Sequence, residues 1–233
     1  MKFISQIKDA AKYTFRDWKS IVLLGIILCI ASTSEELYSD NPVLLVLIIV
    51  IGAIIVLIEE GYRYMIIKET IEGHNRPPII RNFPNLIKEG FSETITLLVY
   101  VYVALAMNKI SESLGESWVS TTIQILIFIS ILIIYLLLFG YPIYKALNGS
   151  KFLSGFDIIG ILKLYSKIGI VQSFFLILIG AISMNVIYSC VFNIGIFETF
   201  HFIEFILSFF INPIILLFIT RLMALCGREA IPS

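Results

Sequence analysis

The chain has 233 residues, 58% of them hydrophobic and only 15% charged, with a mean hydropathy of +0.95 and a formal net charge of zero. A soluble domain carries about 25% charged residues, which excludes a water-soluble globule. The zero net charge and the scatter of the cations give no footprint for nucleic acid.

In chain order, the leader repeats Ile4, Ile7, Ala11, Phe15 and Trp18 at helical spacing, with Lys8, Lys12, Arg16 and Lys19 elsewhere on its surface. That pattern predicts an amphipathic helix lying in the membrane interface, its apolar side in the headgroup boundary. The leader carries Asp9 and Asp17, and no small-x-small cleavage pattern follows, so the first apolar segment reads as a mature helix and not a signal peptide. Apolar spans follow at approximately 19–37, 43–66, 92–110, 119–144, 167–191 and 198–222. Each approaches or exceeds the ~20 residues that cross a hydrocarbon core, and each must be helical to satisfy its own backbone in lipid. The first is the weakest, with a dense apolar core only from Ile21 to Ala31 between Trp18 and Tyr38. Pro42 suits the first turn of the second helix. Residues 84–95, opened by Pro84, resemble the leader, with Ile87, Phe91 and Ile95 on one side and Lys88 and Glu89 opposed; residues 156–166 are a greasier third version.

The basic residues orient these spans. Sixteen of the seventeen Lys and Arg residues lie in the leader, in the loops after the second and fourth spans, and in the tail; Lys109 alone lies opposite. Cations flanking short loops stay in the cytoplasm, so both termini are placed there and the protein in the cell membrane. The opposite side carries Glu35, Glu36, Asp40, Glu112, Glu116, Glu198 and Glu204 against Lys109, a sum of −6 that leaves +6 inside.

The parts repeat: an interfacial helix, an outward span, a short outer loop, and an inward span ending at glycine. Glu60-Gly61-Tyr62 and Phe139-Gly140-Tyr141 mark two inner ends, and Gly73, Gly149 and Gly227 mark three exits. The expected fold is all-α, with six transmembrane helices as three tandem hairpins. It forms one integral membrane domain with pseudo-repeats at approximately 1–73, 79–149 and 153–227.

Polar residues in or beside spans are the candidates for function. Glu59 and Glu60 follow sixteen uncharged residues, and acids at such depth turn toward partners or water. Pairing with Arg63, four residues after Glu59, or with a leader lysine is one role; a transport role is the other. Glu198, His201 and Glu204 open the sixth span at a spacing of three. Carboxylate and imidazole there can hold a metal or relay protons, or simply make a hydrated helix start favoured by the helix's positive end. Asn212-Pro213 interrupts the same span, where proline removes a donor and kinks the helix. Asn185, Gln124 and Gln172 are expected to bond between helices, and Gly169-x-x-x-Ser173 suits close helix approach. Cys29 and Cys190, near the outer ends of their spans, read as small apolar residues, with a disulfide as the other reading.

Two stretches carry a family resemblance. The first is Tyr13-Thr-Phe-Arg-Asp-Trp18-Lys followed by Ile21-Val-Leu-Leu-Gly25-Ile. The second is Gly61-Tyr62, Ile67-Lys-Glu-Thr-Ile-Glu-Gly73, a proline, Phe83, Leu86 and Gly90-Phe91. They resemble an uncharacterised archaeal membrane-protein family, domain of unknown function 4013. His74-Asn-Arg-Pro-Pro stands where that family suggests an acidic stretch. The resemblance implies a multi-span architecture and supplies no activity.

No Gly-x-Ser-x-Gly elbow, phosphate loop or His-Glu-x-x-His occurs, which argues against an enzyme, and no cofactor or metal signature is present. The expected role is a membrane scaffold or lipid-interacting protein with membrane lipids as partners and room for a homo-oligomer. The alternative is a small transporter or channel for an ion or small solute.

Overall fold

The computed structural model describes residues 2–36, 42–80, 82–113, 118–192 and 206–230, and among them every regular element is a helix. In order these are α1 (Lys2–Thr14), α2 (Trp18–Glu36), α3 (Pro42–Ile71), α4 (Phe83–Ser113), α5 (Trp118–Leu147), a 3-10 turn (Phe152–Phe156), α6 (Ile158–Ile168), α7 (Ile170–Phe192), a π-helical turn (Leu207–Ile211) and α8 (Asn212–Arg228).

Four described helices are long and apolar enough to cross a membrane: Val43–Ile71, Phe83–Ser113, Ser120–Leu147 and Phe209–Arg228. A fifth is reached if Ile158–Ile168 and Ile170–Ser183, bent by 109°, count as one span. Four or five of the six expected spans are thus found among the described residues. The first expected span is α2, Trp18–Glu36, whose apolar part is described from Trp18 to Cys29, and the start of the sixth lies outside the described residues.

The leading segments also differ from one another. Residues 84–95 do not form a separate interfacial helix. They are the first turns of the unbroken α4, because nothing between Phe83 and Ser113 interrupts the helical ladder. The third segment does break, at Gly169. That residue caps α6 with φ 100°, a conformation other residues resist, and its N–H donates to the Tyr165 carbonyl at 3.0 Å. Gly169 is thus a hinge and not the close helix contact expected of it, and Ser173 spends its hydroxyl on the Tyr165 carbonyl at 3.2 Å. Of the three expected exit glycines, Gly73 and Gly149 end their helices with positive φ. Gly227 does not: it lies inside α8 against Ile143, where any Cβ would collide.

Three helices make the centre: α3, α5 and α8 each touch the other two. Each is also covered by a leading segment, α3 by the start of α4, α5 by α6, and α8 by α1. The α3–α4 crossing is the tightest. A Cβ at Gly61 would strike the Leu86 carbonyl, and one at Gly90 would strike the Leu57 carbonyl, so the backbones meet with nothing between them. Packing concentrates toward the C-terminal ends of α3, α5 and α8, hereafter the basic end. Tyr62, Ile66, Ile143, Ile219 and Leu222 are enclosed there, whereas Val43, Val46 and Ile49 of α3 are exposed. Apolar side chains bare to this extent suit a lipid environment and not water.

Candidate functional site

The basic end holds ionisable side chains inside the packed helices, and two groups of them stand out. In the first, α4 and α5 bring Glu93 and Lys145 together, both essentially without exposure. The Lys145 ammonium donates to the Glu93 carboxylate in a short contact and to the Ser92 hydroxyl at 2.6 Å. It also lies 4.5 Å from the centre of the Tyr64 ring on α3, a cation–π contact. Tyr141, one turn before Lys145, donates its hydroxyl to the Glu93 backbone carbonyl at 3.4 Å. Lys145 thus has two anchoring oxygens and an aromatic face in place of water.

The acids singled out in the sequence adjoin this pair. Arg63 donates to Glu60 at 2.6 Å, both side chains less than one-fifth exposed. Arg63 therefore takes the acid three residues before it and not Glu59, four before, which makes neither a hydrogen bond nor an ion pair with any described residue. Glu60 and Arg63 are close enough to act electrostatically on Glu93, and Arg63 and Glu93 act on Tyr141, so the two ion pairs form one cluster across α3, α4 and α5.

The second group is built on Arg221 of α8, 1% exposed. Its guanidinium donates from Nε and Nη2 to Asp9 of α1 at 3.2 and 3.0 Å. It also donates from Nη1 to Thr70 of α3 and to the His74 carbonyl at 2.8 and 2.7 Å, and from Nη2 to Asn75 at 3.2 Å. The Tyr13 ring stacks 4.4 Å from the guanidinium carbon. Burial holds the Tyr13 phenol well above its ordinary pKa, against the pull of Arg221, so the ring stays neutral. Arg221 spends its donors on α1, α3 and the loop after α3, and binds the leader to the bundle.

The remaining candidates separate. Glu198, His201 and Glu204 lie outside the described residues. Asn212 and Pro213 stand where the π-helical turn gives way to α8, and the turn passes so close to α2 that a Cβ at Gly25 would meet the Phe209 carbonyl. Asn212 is fully buried and neither amide atom has a hydrogen-bond partner. Gln124 reaches across to the Ser111 carbonyl of α4 at 3.5 Å. The Cys226 thiol donates to Gln6 Oε1 at 3.5 Å, and the side chain of Cys190, read with Cys29 as a disulfide alternative, is outside those described. Among the described residues no three His, Cys, Asp or Glu side chains converge as metal ligands.

Sequence reasoning missed Glu93, Lys145, Asp9 and Arg221 as partners. It read Lys145 and Arg221 only as topology markers. One signal was available: Glu93 shares the Leu86–Gly90 face of α4, which is buried. Comparison with known proteins finds no matching family, no matching characterised protein and no similar solved structure. The resemblance carried by residues 13–26 and 61–91 stands on those residues alone.

Proposed function

We propose that the protein is a membrane scaffold that binds anionic phospholipid at its basic end, on the cytoplasmic leaflet. One observation carries this reading. Each leading segment is fixed to the bundle by one side and leaves an apolar stripe bare beside exposed cations. In α1 the fixed side is Gln6, Ala10, Tyr13 and Thr14, and the bare side is Ile4 and Phe15, continued by Trp18, next to Lys8 and Lys12. At the start of α4 it is Phe83, Ile87 and Phe91 next to Lys88; before and along α6 it is Leu153, Ile159 and Leu162 next to Lys151 and Lys163. Apolar surface with lysine at its edge fits acyl chains below and phosphates above, and each cation adds about 1 kcal/mol at an anionic surface.

This reading keeps six crossings with both termini cytoplasmic as part of the proposal. The cyclic covering of α3 by α4, α5 by α6 and α8 by α1 supports three repeated hairpins, since the last unit closes on the first. A second reading, transport of an ion or small solute, is favoured by the charged cluster of Glu60, Arg63, Glu93 and Lys145 within the helices.

The test is lipid composition. Protein extracted in mild detergent is expected to retain anionic phospholipid above its share of the membrane, as read by mass spectrometry. Replacing Lys8, Lys12, Lys88, Lys151 and Lys163 with Gln should bring that enrichment down to the bulk ratio. Bulk composition around the unaltered protein would overturn the reading.

A further inference from the structure

The segment His74-Asn75-Arg76-Pro77-Pro78 leads from α3 toward α4 at the basic end, and the bundle grips it on both sides of Arg76. Arg221 donates to the His74 carbonyl at 2.7 Å and to the Asn75 side-chain oxygen at 3.2 Å. Arg16, just past α1, donates from Nη1 to the Asn75 carbonyl at 2.6 Å. Tyr62 of α3 donates to the Pro78 carbonyl at 3.2 Å. Pro77 and Pro78 are buried and fix their own φ. Arg76 is exposed and has no hydrogen bond or ion pair with any described residue. A loop pinned in this way loses little further freedom when Arg76 meets a ligand.

The charges at this corner are mostly positive and unmatched. The bond from Arg16 to a carbonyl uses one donor and leaves the guanidinium charge without a carboxylate. Asp17, its neighbour, caps α2: its two oxygens accept from the Lys19 N–H at 3.1 Å and the Ser20 hydroxyl at 2.9 Å. Asp9 is taken by Arg221, and Glu72 lies 3.9 Å from the His74 ring. Apolar side chains flank the two arginines in the chain and are exposed: Phe15 and Trp18 beside Arg16, Ile79 and Phe83 beyond Arg76. Beneath them Tyr13, Ile21, Tyr62 and Leu86 share one core cluster with Ile80, so the α1–α2 elbow, the loop and the start of α4 meet here.

We propose that this corner binds the terminal phosphate of a phospholipid headgroup, a phosphomonoester, with Arg16 and Arg76 on the phosphate and the four apolar side chains against the acyl chains. The inference rests on the lipid-binding reading of the basic end and adds a headgroup preference to it. Lys88, Lys151 and Lys163 on the other leading segments carry point charges with no such anchor, which suit any anionic surface. Guanidinium forks held in place read the shape of a phosphate as well as its charge. Two forks call for more acceptors than a phosphodiester offers, since only two of its oxygens are unesterified. A monoester presents three, with a charge of about −1.5 to −2. Arg221 is a positioning residue for the site: it is buried away from lipid and holds the loop that carries Arg76 against Arg16.

Native mass spectrometry of the whole protein in mild detergent, offered phosphatidic acid and phosphatidylglycerol in equal amounts, tests this. Phosphatidic acid is expected to be retained over phosphatidylglycerol by about tenfold, the worth of one added charge-assisted hydrogen bond. Arg16→Lys combined with Arg76→Lys keeps both charges and removes both forks, and should bring the ratio close to one. Glycerol 3-phosphate, the same monoester without acyl chains, should not displace the bound lipid. Equal retention of the two lipids, each above phosphatidylcholine, overturns the headgroup preference and leaves the wider lipid reading standing. Retention of neither above phosphatidylcholine overturns both. A preference that survives the double variant overturns the assignment to these arginines, and displacement by glycerol 3-phosphate would make this a site for a soluble anion and overturn it too. The first comparison needs no variant, so a misfolded mutant cannot obscure the result.

Discussion

Lys145 and Arg221 are both sealed from solvent in the C-terminal halves of α5 and α8, yet they are held in different ways. Lys145 shares its enclosure with its counter-charge, since the Glu93 side chain is only 2% exposed. Arg221 is paired with Asp9, which is 50% exposed, and spreads its other donors over Thr70, Asn75 and the His74 carbonyl. An ammonium is a point charge that can be matched by one carboxylate, a hydroxyl and a ring, whereas a guanidinium is a fork that must be met on several sides. The difference teaches that Lys145–Glu93 is a closed pair in which each member depends on the other. Arg221 is a knot with redundant strands.

The largest effect should come from breaking the closed pair. Lys145→Met leaves the Glu93 carboxylate buried without a cation, and the protein should lose about 3–5 kcal/mol in detergent unfolding. Adding Glu93→Leu should restore most of the loss, because two apolar side chains replace two charges. If the single and double variants were equally unstable, the loss would lie in packing and not in charge.

Gly90→Ala tests how the pair is positioned. The new methyl strikes the Leu57 carbonyl and must push α4 away from α3, carrying Ser92 and Glu93 with it. An overpacked contact of this kind costs about 1–3 kcal/mol, and the shift should read out as a lower melting temperature. A neutral result would mean that the crossing has slack.

Arg221→Lys should cost about 2 kcal/mol, since an ammonium cannot reach Asp9, Thr70 and His74 together. Asp9→Asn should cost less, about 1 kcal/mol or below, because Asp9 is half in water. Limited proteolysis of α1 gives a direct measure: Arg221→Lys is expected to release it faster than Asp9→Asn. Equal rates would make Asp9 the whole anchor.

The smallest effect concerns α6. The Asp157 carboxylate accepts from the Tyr144 hydroxyl at 2.7 Å and the Gly160 N–H at 2.9 Å, and these bonds hold its pKa below the usual aspartate value. A depressed folded value means the cap is intact above the ordinary aspartate range and is lost as pH falls through the lowered value. Hydrogen exchange at Gly160 should therefore quicken only in acid, and Asp157→Ala should quicken it at neutral pH and flatten the dependence.

These contrasts also mark what the sequence could convey. Apolar periodicity in the leader picked out Ile4, Ile7, Ala11, Phe15 and Trp18; Ile4, Phe15 and Trp18 are exposed, whereas Ala11 is half-buried and Ile7 packs against the core. The side that packs is Gln6, Ala10, Tyr13 and Thr14. Gln6 bonds the Leu225 carbonyl and Tyr13 stacks on Arg221 there, and hydropathy does not register a face that packs through polar and aromatic contacts. Counting cations by loop sorted sixteen of seventeen to one side, but it could not separate Lys145 and Arg221 from surface lysines. Their partners lie 52 and 212 residues away, beyond any local pattern. The 109° bend at Gly169 falls where the third leading segment passes into the fifth apolar span: length and apolar content were legible there, while the angle depends on one backbone torsion.

The scaffold account requires the bare stripe of the leader to lie in the headgroup boundary. Trp18 sits in that stripe, and Trp118 is the other tryptophan in the chain. In a Trp118→Phe variant reconstituted into bilayers, lipids brominated at successive positions along the acyl chain report the depth of Trp18. The account predicts strongest quenching by bromines nearest the headgroups and weak quenching by those at the chain ends. Strongest quenching from the bilayer centre, or none at any depth, would contradict it.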